Sequence, residues 1–184
     1  MSQIFDATYT EISTPSTSVP RYLVSPDASC VPNNDLAHLK QLWSEFVVVG
    51  AGRAGIDAVL YLLGLGCDPS LIVWVVSQEA WLINREQFFP DRFISSFMAQ
   101  LRELEDAGSV TDVMLRLESI AFIMRRDTTT VPMAFRCATV SLGELQQLRR
   151  ITRVVRSGQV VEVSSGEVRL EQGPLTITPK NIGR

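Results

Sequence analysis

Residues 46–55 read Phe-Val-Val-Val-Gly-Ala-Gly-Arg-Ala-Gly, and this stretch decides the fold. The apolar run from Phe46 to Val49 predicts a buried parallel strand. It leads directly into three glycines spaced G-x-G-x-x-G, and a second apolar run, Leu71 to Val76, follows after a helix-length gap. Between them, apolar residues recur at the spacing of one helix face: Ile56, Val59, Leu60 and Leu63. The pattern predicts a strand–helix–strand unit with a glycine turn after its first strand.

Each glycine of this motif has a separate role in binding a dinucleotide. Gly50 permits the tight turn, Gly52 lets a pyrophosphate approach the backbone, and Gly55 lets the helix pack close to the strand. The pyrophosphate would lie on the N–H groups at the positive end of the helix dipole. The alternative is a β-α turn that binds nothing. Because three glycines exceed what a turn requires, we expect cofactor contacts along the whole loop: Gly50, Ala51, Gly52, Arg53, Ala54 and Gly55.

The residues after the second strand, Ser77, Gln78 and Glu79, are predicted to contact the adenosine ribose. An acid there accepts a hydrogen bond from the 2′-hydroxyl of NAD, whereas a nearby arginine accepts the 2′-phosphate of NADP. Glu79 lies 24 residues past Gly55, close to the expected spacing. The cofactor is therefore expected to be NAD or NADP, with NAD favoured. Arg53 and Arg85 are alternative phosphate contacts or plain surface residues.

Composition excludes several other classes of protein. The chain has 184 residues, a net charge of −3 and a pI near 5.2, so a nucleic-acid partner is not expected. Its three cysteines are far apart and it has one histidine, which favours a reduced cytoplasmic protein without a metal site or a catalytic triad. No apolar run approaches membrane-spanning length. The acidic residues form no acid–base pair, so no catalytic residue is predicted.

The sequence predicts an α/β fold in which a Rossmann-like parallel sheet has a helical insertion and a C-terminal β-hairpin or meander. Residues 1–45 form an extended, proline-rich connecting segment with a short strand at Ile4 to Thr8 and one or two helical turns at Leu36 to Trp43. Residues 46–184 form a single dinucleotide-binding domain. The helical insertion covers about 81–151.

Three helices are expected within this insertion. The first contains Phe93 to Leu104 and ends at Gly108, and the second, around Val113 to Ile120, is capped by Thr111 or Asp112. The third begins at Ser141, where Ser-x-x-Glu matches a capping box. After residue 153 the pattern predicts three short strands, with a hairpin turn at Ser164-Ser165-Gly166 and no firm closing element: Val154–Val155, Val160–Val163 and Val168–Leu170.

Two further groups of side chains are assigned to the core or to the surface from their residue types. The aromatic and methionine cluster at Phe88, Phe89, Phe93, Phe97 and Met98 is expected to form core, or else a surface that an FAD domain or another partner covers. The arginine pairs at 125–126 and 149–150 are expected at solvated surface positions.

The run from Phe46 to Arg85 resembles the pyridine-nucleotide domain of FAD/NAD(P)-binding flavin-dependent oxidoreductases, the proteins related to flavin monooxygenases and disulfide reductases. The likeness continues through Phe135 to Ser141 and the hairpin at 158–173, and Phe5 to Thr8 resembles the strand that leaves the FAD domain. The resemblance implies a module that holds NAD(P)H for hydride transfer to a flavin.

The chain departs from that family at both ends. No FAD-binding glycine motif precedes Ile4, and no returning strand follows the hairpin. The expectation is a fragment-like NAD(P) module that works with FAD only if other segments or a partner supply the flavin site. Its expected partners are the dinucleotide and either an FAD domain or a second copy. The alternative is a non-catalytic nucleotide-binding or interaction protein.

Overall fold

The computed structural model describes residues 18–38 and 44–176, which form a mixed α/β fold with several sheets that contain parallel strands. The strands are β1 Leu23–Val24, β2 Phe46–Val49, β3 Ile72–Val75, β4 Ala80–Asn84, β5 Ile123–Met124, β6 Ala134–Val140, β7 Val154–Val155, β8 Val160–Val163, β9 Glu167–Leu170 and β10 Gly173–Thr176. The α-helices are α1 Arg53–Gly64, α2 Phe93–Glu105, α3 Val110–Ser119 and α4 Leu142–Leu148. Short 3-10 helices cover Asn33–His38, Pro69–Leu71 and Arg85–Phe88.

The predicted strand–helix–strand unit is confirmed as β2, α1 and β3. The two strands are parallel, with Phe46 opposite Ile72 and Val49 opposite Val75, and β7 extends the sheet in the order β2-β3-β7. Val59 and Ile56 of α1 are fully buried. Because a connection between parallel neighbours has to cross one face of the sheet, the apolar side of α1 lies against the strands.

Side chains of β3 alternate between two apolar layers. Ile72, Trp74 and Val76 pack with α1 and α4 on one face, whereas Val75 packs with residues of β8 and β9 on the other. All four residues of β3 are buried. The parallel sheet is therefore covered by helices on one side and by a second sheet on the other, which explains why β3 is apolar throughout.

The stretch 81–151, predicted to be largely helical, also contains three strands that form their own sheet in the order β5-β4-β6. Every residue of β4 is buried: Leu82 faces the layer of α1 and α4, and Trp81 and Ile83 face α3. The three helices predicted in this stretch are present as α2, α3 and α4, but the three strands were not predicted. A short apolar run such as β4 does not by itself distinguish a strand from a buried helical segment.

Of the two predicted helix N-caps, that of α4 is confirmed and that of α3 is corrected. The Ser141–Glu144 capping box of α4 is confirmed, since each side chain accepts a hydrogen bond from the other residue's backbone N–H. The cap of α3 is Ser109, not Thr111 or Asp112. Asp112 instead accepts a hydrogen bond from the Gly108 N–H and pairs with Arg116, so its carboxylate ties the helix to the preceding turn.

The aromatic cluster predicted as core lies at the surface. Phe88, Phe89, Phe93, Phe97 and Met98 are each about half exposed, with exposed fractions between 47% and 50%. The prediction was wrong because helix spacing shows which residues share a face and does not show what covers that face. The alternative, a surface for a partner, stays a prediction.

The C-terminal strands β8 and β9 form the predicted hairpin. Two strands that were not predicted, β10 and β1, complete their sheet. β8 and β9 are antiparallel around the turn after Val163, where the Ser164 N–H donates to the Glu167 carbonyl. β10 pairs with β9 despite Pro174, and β1 pairs in parallel with β8, so part of the N-terminal connecting segment belongs to this sheet.

The predicted strand at Ile4 to Thr8 lies outside the described residues. A 3-10 helix at Asn33–His38 covers the first three of the eight residues predicted as helical turns, Leu36 to Trp43, and residues 39–43 lie outside the described residues. Within the described ranges, no helix has the length and apolar composition needed to cross a membrane.

Candidate functional site

The glycine loop lies where β2 ends and α1 begins. Gly50 has φ +111°, a conformation that favours glycine, and its N–H donates to the Val75 carbonyl at 2.9 Å, which keeps the loop beside β3. Gly52 is the N-cap of α1 and supplies no side-chain cap. The N–H groups of the first helical turn therefore lack intrahelical acceptors, and the loop offers donors at the positive end of the dipole.

The glycines differ in what surrounds them. A Cβ built on Gly55 would collide with the Gly50 carbonyl group, lying only 2.9 Å from its carbon, so helix and loop are in close contact there. A Cβ on Gly52 would have no heavy atom within 4 Å among the described residues. The space beside Gly52 is therefore open to a ligand, whereas the space beside Gly55 is already filled by backbone.

Trp74 and Arg126 pack beneath the loop. The Trp74 indole Nε1–H donates to the Gly50 carbonyl at 2.8 Å, and the Arg126 guanidinium carbon lies 5.6 Å from the centre of the Trp74 ring. The Arg126 side chain is 9% exposed, and within the described part of the chain its buried Nε has no hydrogen-bond partner. A buried donor without a partner is costly, which identifies this position as one that a water or ligand oxygen can satisfy.

Glu79 is held by two arginines. Its side chain is 8% exposed, and its Oε1 accepts hydrogen bonds from Arg126 Nη2 and from both Nε and Nη2 of Arg156, the latter at 3.1 and 2.7 Å. Arg156 also pairs with Asp127 at 2.7 Å. The Thr129 hydroxyl and backbone N–H, with Arg156 and Arg126, hold the pKa of Asp127 below its ordinary value. Two cations and two carboxylates therefore lie together beyond the ends of β3, β5 and β7.

Glu79 and the glycine loop line one narrow cavity of about 10 Å³, together with Trp74 and Arg126. This volume holds about one water molecule. The cavity is this small because the Arg126 side chain lies over the Trp74 ring. Ala51 is the loop residue that reaches the cavity. The cavity itself is too small to hold a dinucleotide.

Arg53, in the first turn of α1, and Arg85, which follows β4, share a hydrogen-bond acceptor. Both donate to the Thr139 carbonyl, Arg53 also pairs with Asp57 at 2.9 Å, and Arg85 pairs with Glu144 at 3.0 Å. Their side chains are 47% and 41% exposed. The two cations are therefore adjacent to the first turn of α1 and open to solvent.

Glu144 is stabilised as a carboxylate at this position. Partial burial alone would raise its pKa, but the Ser141 backbone N–H and the Arg85 and Arg53 guanidinium groups outweigh that effect and lower it. A capping residue of α4 is thus linked through Arg85 to the first turn of α1.

The three residues predicted to contact the ribose differ in how far they are buried. Ser77 and Gln78 are exposed in the turn between β3 and β4, whereas Glu79 points inward. Trp74, Arg126 and Arg156 were not predicted from the sequence as residues of this site. Arg126 was assigned to a solvated surface, which is wrong, since it is buried against Trp74 and Glu79. The sequence around Arg126 gives no signal for these contacts, since the residue lies two positions after β5, a strand that the sequence did not predict.

Comparison with known proteins identifies relatives but no function. The chain is 37% identical over 182 residues to uncharacterized proteins of Mycobacterium bovis and of two Mycobacterium tuberculosis strains, and the match covers 96% of this chain and 34% of each relative. The chain therefore spans about a third of the length of these relatives. No protein-family model matches it, and no solved structure gives a significant match.

Proposed function

We propose that this chain is a nicotinamide-dinucleotide-binding module of a flavin-dependent oxidoreductase, built on a Rossmann-like β2-α1-β3 unit. The observation that carries the proposal is the convergence of the glycine loop and Glu79 on one cavity at the carboxyl ends of two parallel strands. In open α/β sheets, ligands bind in the crevice outside this edge.

The loop suits a pyrophosphate. Its first-turn N–H groups lie at the positive end of the α1 dipole, and the open space beside Gly52 lets phosphate oxygens reach them. Arg53 and Arg85, both partly exposed next to this turn, add positive charge for the phosphates. Each arginine already has a carboxylate partner, so this contribution requires it to share or exchange that partner.

The Glu79 region suits an unphosphorylated ribose. Among the described residues, every hydrogen bond donated to this carboxylate goes to Oε1, so Oε2 is the oxygen proposed to accept the ribose 2′-hydroxyl. The local charges are balanced, two arginines against Glu79 and Asp127. A doubly charged 2′-phosphate would disturb that balance more than a hydroxyl group would, which supports NAD over NADP.

The chemistry would come from the nicotinamide, which loses a hydride, and from a flavin, which accepts it. This part of the proposal rests on the resemblance of residues 46–85 to flavin-dependent oxidoreductases. The protein's own residues would bind and orient the dinucleotide. We further propose that other segments or a partner bind the flavin and that the protein is cytoplasmic.

Calorimetric titration with NADH and NADPH tests the binding site. We expect the folded chain to bind NADH, and Gly52→Val to weaken it roughly tenfold or more, because the side chain fills the space that the pyrophosphate needs. Gly143→Ala is the matched control, since a Cβ there meets only the Ser141 hydroxyl, at 3.9 Å. A folded wild-type chain that binds neither dinucleotide would remove the proposal.

A non-catalytic interaction protein is the second candidate. It is favoured by the exposed apolar residues of α2, which a soluble monomeric enzyme has no evident use for. The two functions are compatible, because the glycine loop and α2 share no residue.

A further inference from the structure

Two neighbouring arginines, Arg125 and Arg126, each lie over a tryptophan ring. The Arg125 guanidinium carbon is 5.7 Å from the centre of the Trp81 ring, and that of Arg126 is 5.6 Å from the centre of the Trp74 ring. A guanidinium over an indole face is attractive in both places. The two residues differ in their hydrogen bonds.

Arg125 is fixed by an acceptor for each of its nitrogens. Its Nε donates to both carboxylate oxygens of Glu118 at 2.9 Å, and its Nη2 lies 2.7 Å from Glu118 Oε2. Its Nη1 donates to the Thr128 carbonyl at 3.0 Å. Because Glu118 belongs to α3 and Trp81 to β4, this arginine joins the helix to the strand.

Arg126 is more deeply buried than Arg125 but has weaker support. Its side chain is 9% exposed, against 16% for Arg125. Its Nη2 donates to Glu79 Oε1, whereas its buried Nε has no acceptor among the described residues. A buried N–H without an acceptor costs free energy, so part of what holds Arg126 over Trp74 is offset.

The groups around Arg126 keep their own support if its side chain moves. Glu79 retains Arg156, which donates to the same Oε1 from Nε at 3.1 Å and from Nη2 at 2.7 Å. Arg149 donates to the backbone carbonyls of Arg125 and Arg126 at 2.7 and 3.1 Å and holds this segment in place. The Arg126 side chain can therefore leave without stranding a buried carboxylate or moving β5.

The Arg126 side chain closes the space between the glycine loop and Glu79. Together with Ala51 of the loop, Trp74 and Glu79, it lines the cavity of about 10 Å³, which holds about one water molecule. Apart from Ala51, Glu79 and Arg126, the lining residues belong to the buried apolar core. Arg126 is therefore the lining residue whose displacement admits a larger ligand to Glu79 while the core stays packed.

We propose that Arg126 is a gate residue of the nucleotide site: its guanidinium closes the site by lying over Trp74, and it moves aside when the ribose of a dinucleotide reaches Glu79. This inference rests on the proposed dinucleotide function and adds the step by which the closed site opens. The displaced guanidinium has a carboxylate close by, since Asp127 is 25% exposed and Arg126 helps to lower its pKa.

Calorimetric titration with NADH tests the gate in two neighbouring variants, with thermal melts to show that each is folded. We expect Arg126→Ala to bind NADH about fivefold to tenfold more tightly than wild type, because the apparent affinity of a closed site is reduced to the fraction that is open. Arg125→Ala is the matched control: it should lose stability and keep the wild-type affinity, since Arg125 does not line the cavity. A residue that contacted the ligand directly, or only supported the fold, would not give tighter binding on removal.

Fluorine NMR of wild-type protein labelled with 5-fluorotryptophan reports the movement itself. Saturating NADH should shift the Trp74 resonance, assigned with Trp74→Phe, because the cation leaves the ring and the ligand takes its place. The Trp81 resonance should stay unchanged, since Arg125 remains over that ring. This readout on wild type tests the gate even if Arg126→Ala does not fold.

The outcomes separate the gate from the function on which it rests. A folded wild-type chain that binds no NADH removes the proposed function and the gate together. NADH binding that Arg126→Ala leaves unchanged or weakens, or a Trp74 resonance that does not move at saturation, overturns the gate alone and leaves the dinucleotide site.

Discussion

Helices α1 and α2 have similar lengths and similarly spaced apolar residues, yet only one of them buries its apolar side. In α1, Ile56 is 1% exposed and Val59 is 0% exposed, whereas in α2, Phe93 is 48% exposed and Phe97 is 50% exposed. The difference lies in the connections. α1 joins two neighbouring parallel strands and has to cross their sheet, while α2 follows a strand and contacts α3 and the preceding 3-10 turn. Periodicity therefore identifies an apolar side, and topology decides whether the fold covers it.

The largest expected effect comes from shortening a side chain on α1. Ile56→Ala should lower the free energy of unfolding by about 3 kcal/mol, through lost burial and the cavity it leaves. Leu101→Ala, the matched truncation on α2, should cost less than about 1 kcal/mol in dilute solution, since this side chain is 45% exposed. Urea unfolding measures both. Equal losses would show that α2 is as tightly packed as α1 and would break the comparison.

A second prediction separates two glycines of the loop that holds α1. Gly55→Ala should cost about 2 kcal/mol, because its Cβ meets the Gly50 carbonyl and helix and loop have to move apart. Gly52→Ala should change stability by less than about 0.5 kcal/mol, since the space is open and its φ of −83° suits any residue. Calorimetric melting of both variants without cofactor decides this. A destabilised Gly52→Ala would mean that the loop is closed in solution.

The start of α4 should matter more than a serine within α2. Ser141→Ala removes the hydroxyl acceptor of the capping box and should cost about 1 kcal/mol. Ser95→Ala, in α2, removes only a bond from the hydroxyl to the Arg92 carbonyl and should stay within about 0.5 kcal/mol of wild type. Chemical denaturation of the two variants under the same conditions gives the comparison.

The smallest effect concerns pH. The pKa of Glu144 is lowered from its ordinary 4.5 on folding, so its contribution to stability is complete above 4.5 and is lost as the pH falls through the folded value. Glu144→Gln keeps an amide oxygen for the cap but no longer titrates. We expect its melting temperature to fall less steeply than that of wild type below pH 4.5. Parallel acid-side slopes would show that Arg85 does not stabilise the charged form.

The β2-α1-β3 unit could be predicted because every local signal there agrees. The apolar run, the glycines and the helix spacing each indicate the same unit, and Val48, Val59 and all of β3 are buried, whereas Val49 at the end of β2 is exposed. β4 was not predicted, because a short apolar run alone does not distinguish a strand from a helical segment, and no glycine motif or helix spacing beside it decides between the two.

In the candidate site, the residues of local sequence motifs could be predicted and the residues distant in the sequence could not. Gly50, Gly52 and Gly55 form a local motif, and Glu79 is close enough in sequence for its spacing to be informative. Arg126 and Arg156 reach Glu79 from 47 and 77 residues away, so their positions depend on the packing of β5 and β7. Nothing in the residues around each arginine indicates a partner at that distance.

The position of β7 in the sheet has a consequence for the order of folding. Its partner β3 is about 80 residues earlier in the chain, so their pairing closes a long loop that contains three helices and another sheet. The β8-β9-β10 meander has turns of a few residues and closes on a much shorter timescale. Pulse-labelled amide exchange during refolding should therefore show early protection in the meander and late protection at Val154 and Val155. The ion pairs of Arg156, which directly follows β7, would form in that same late step.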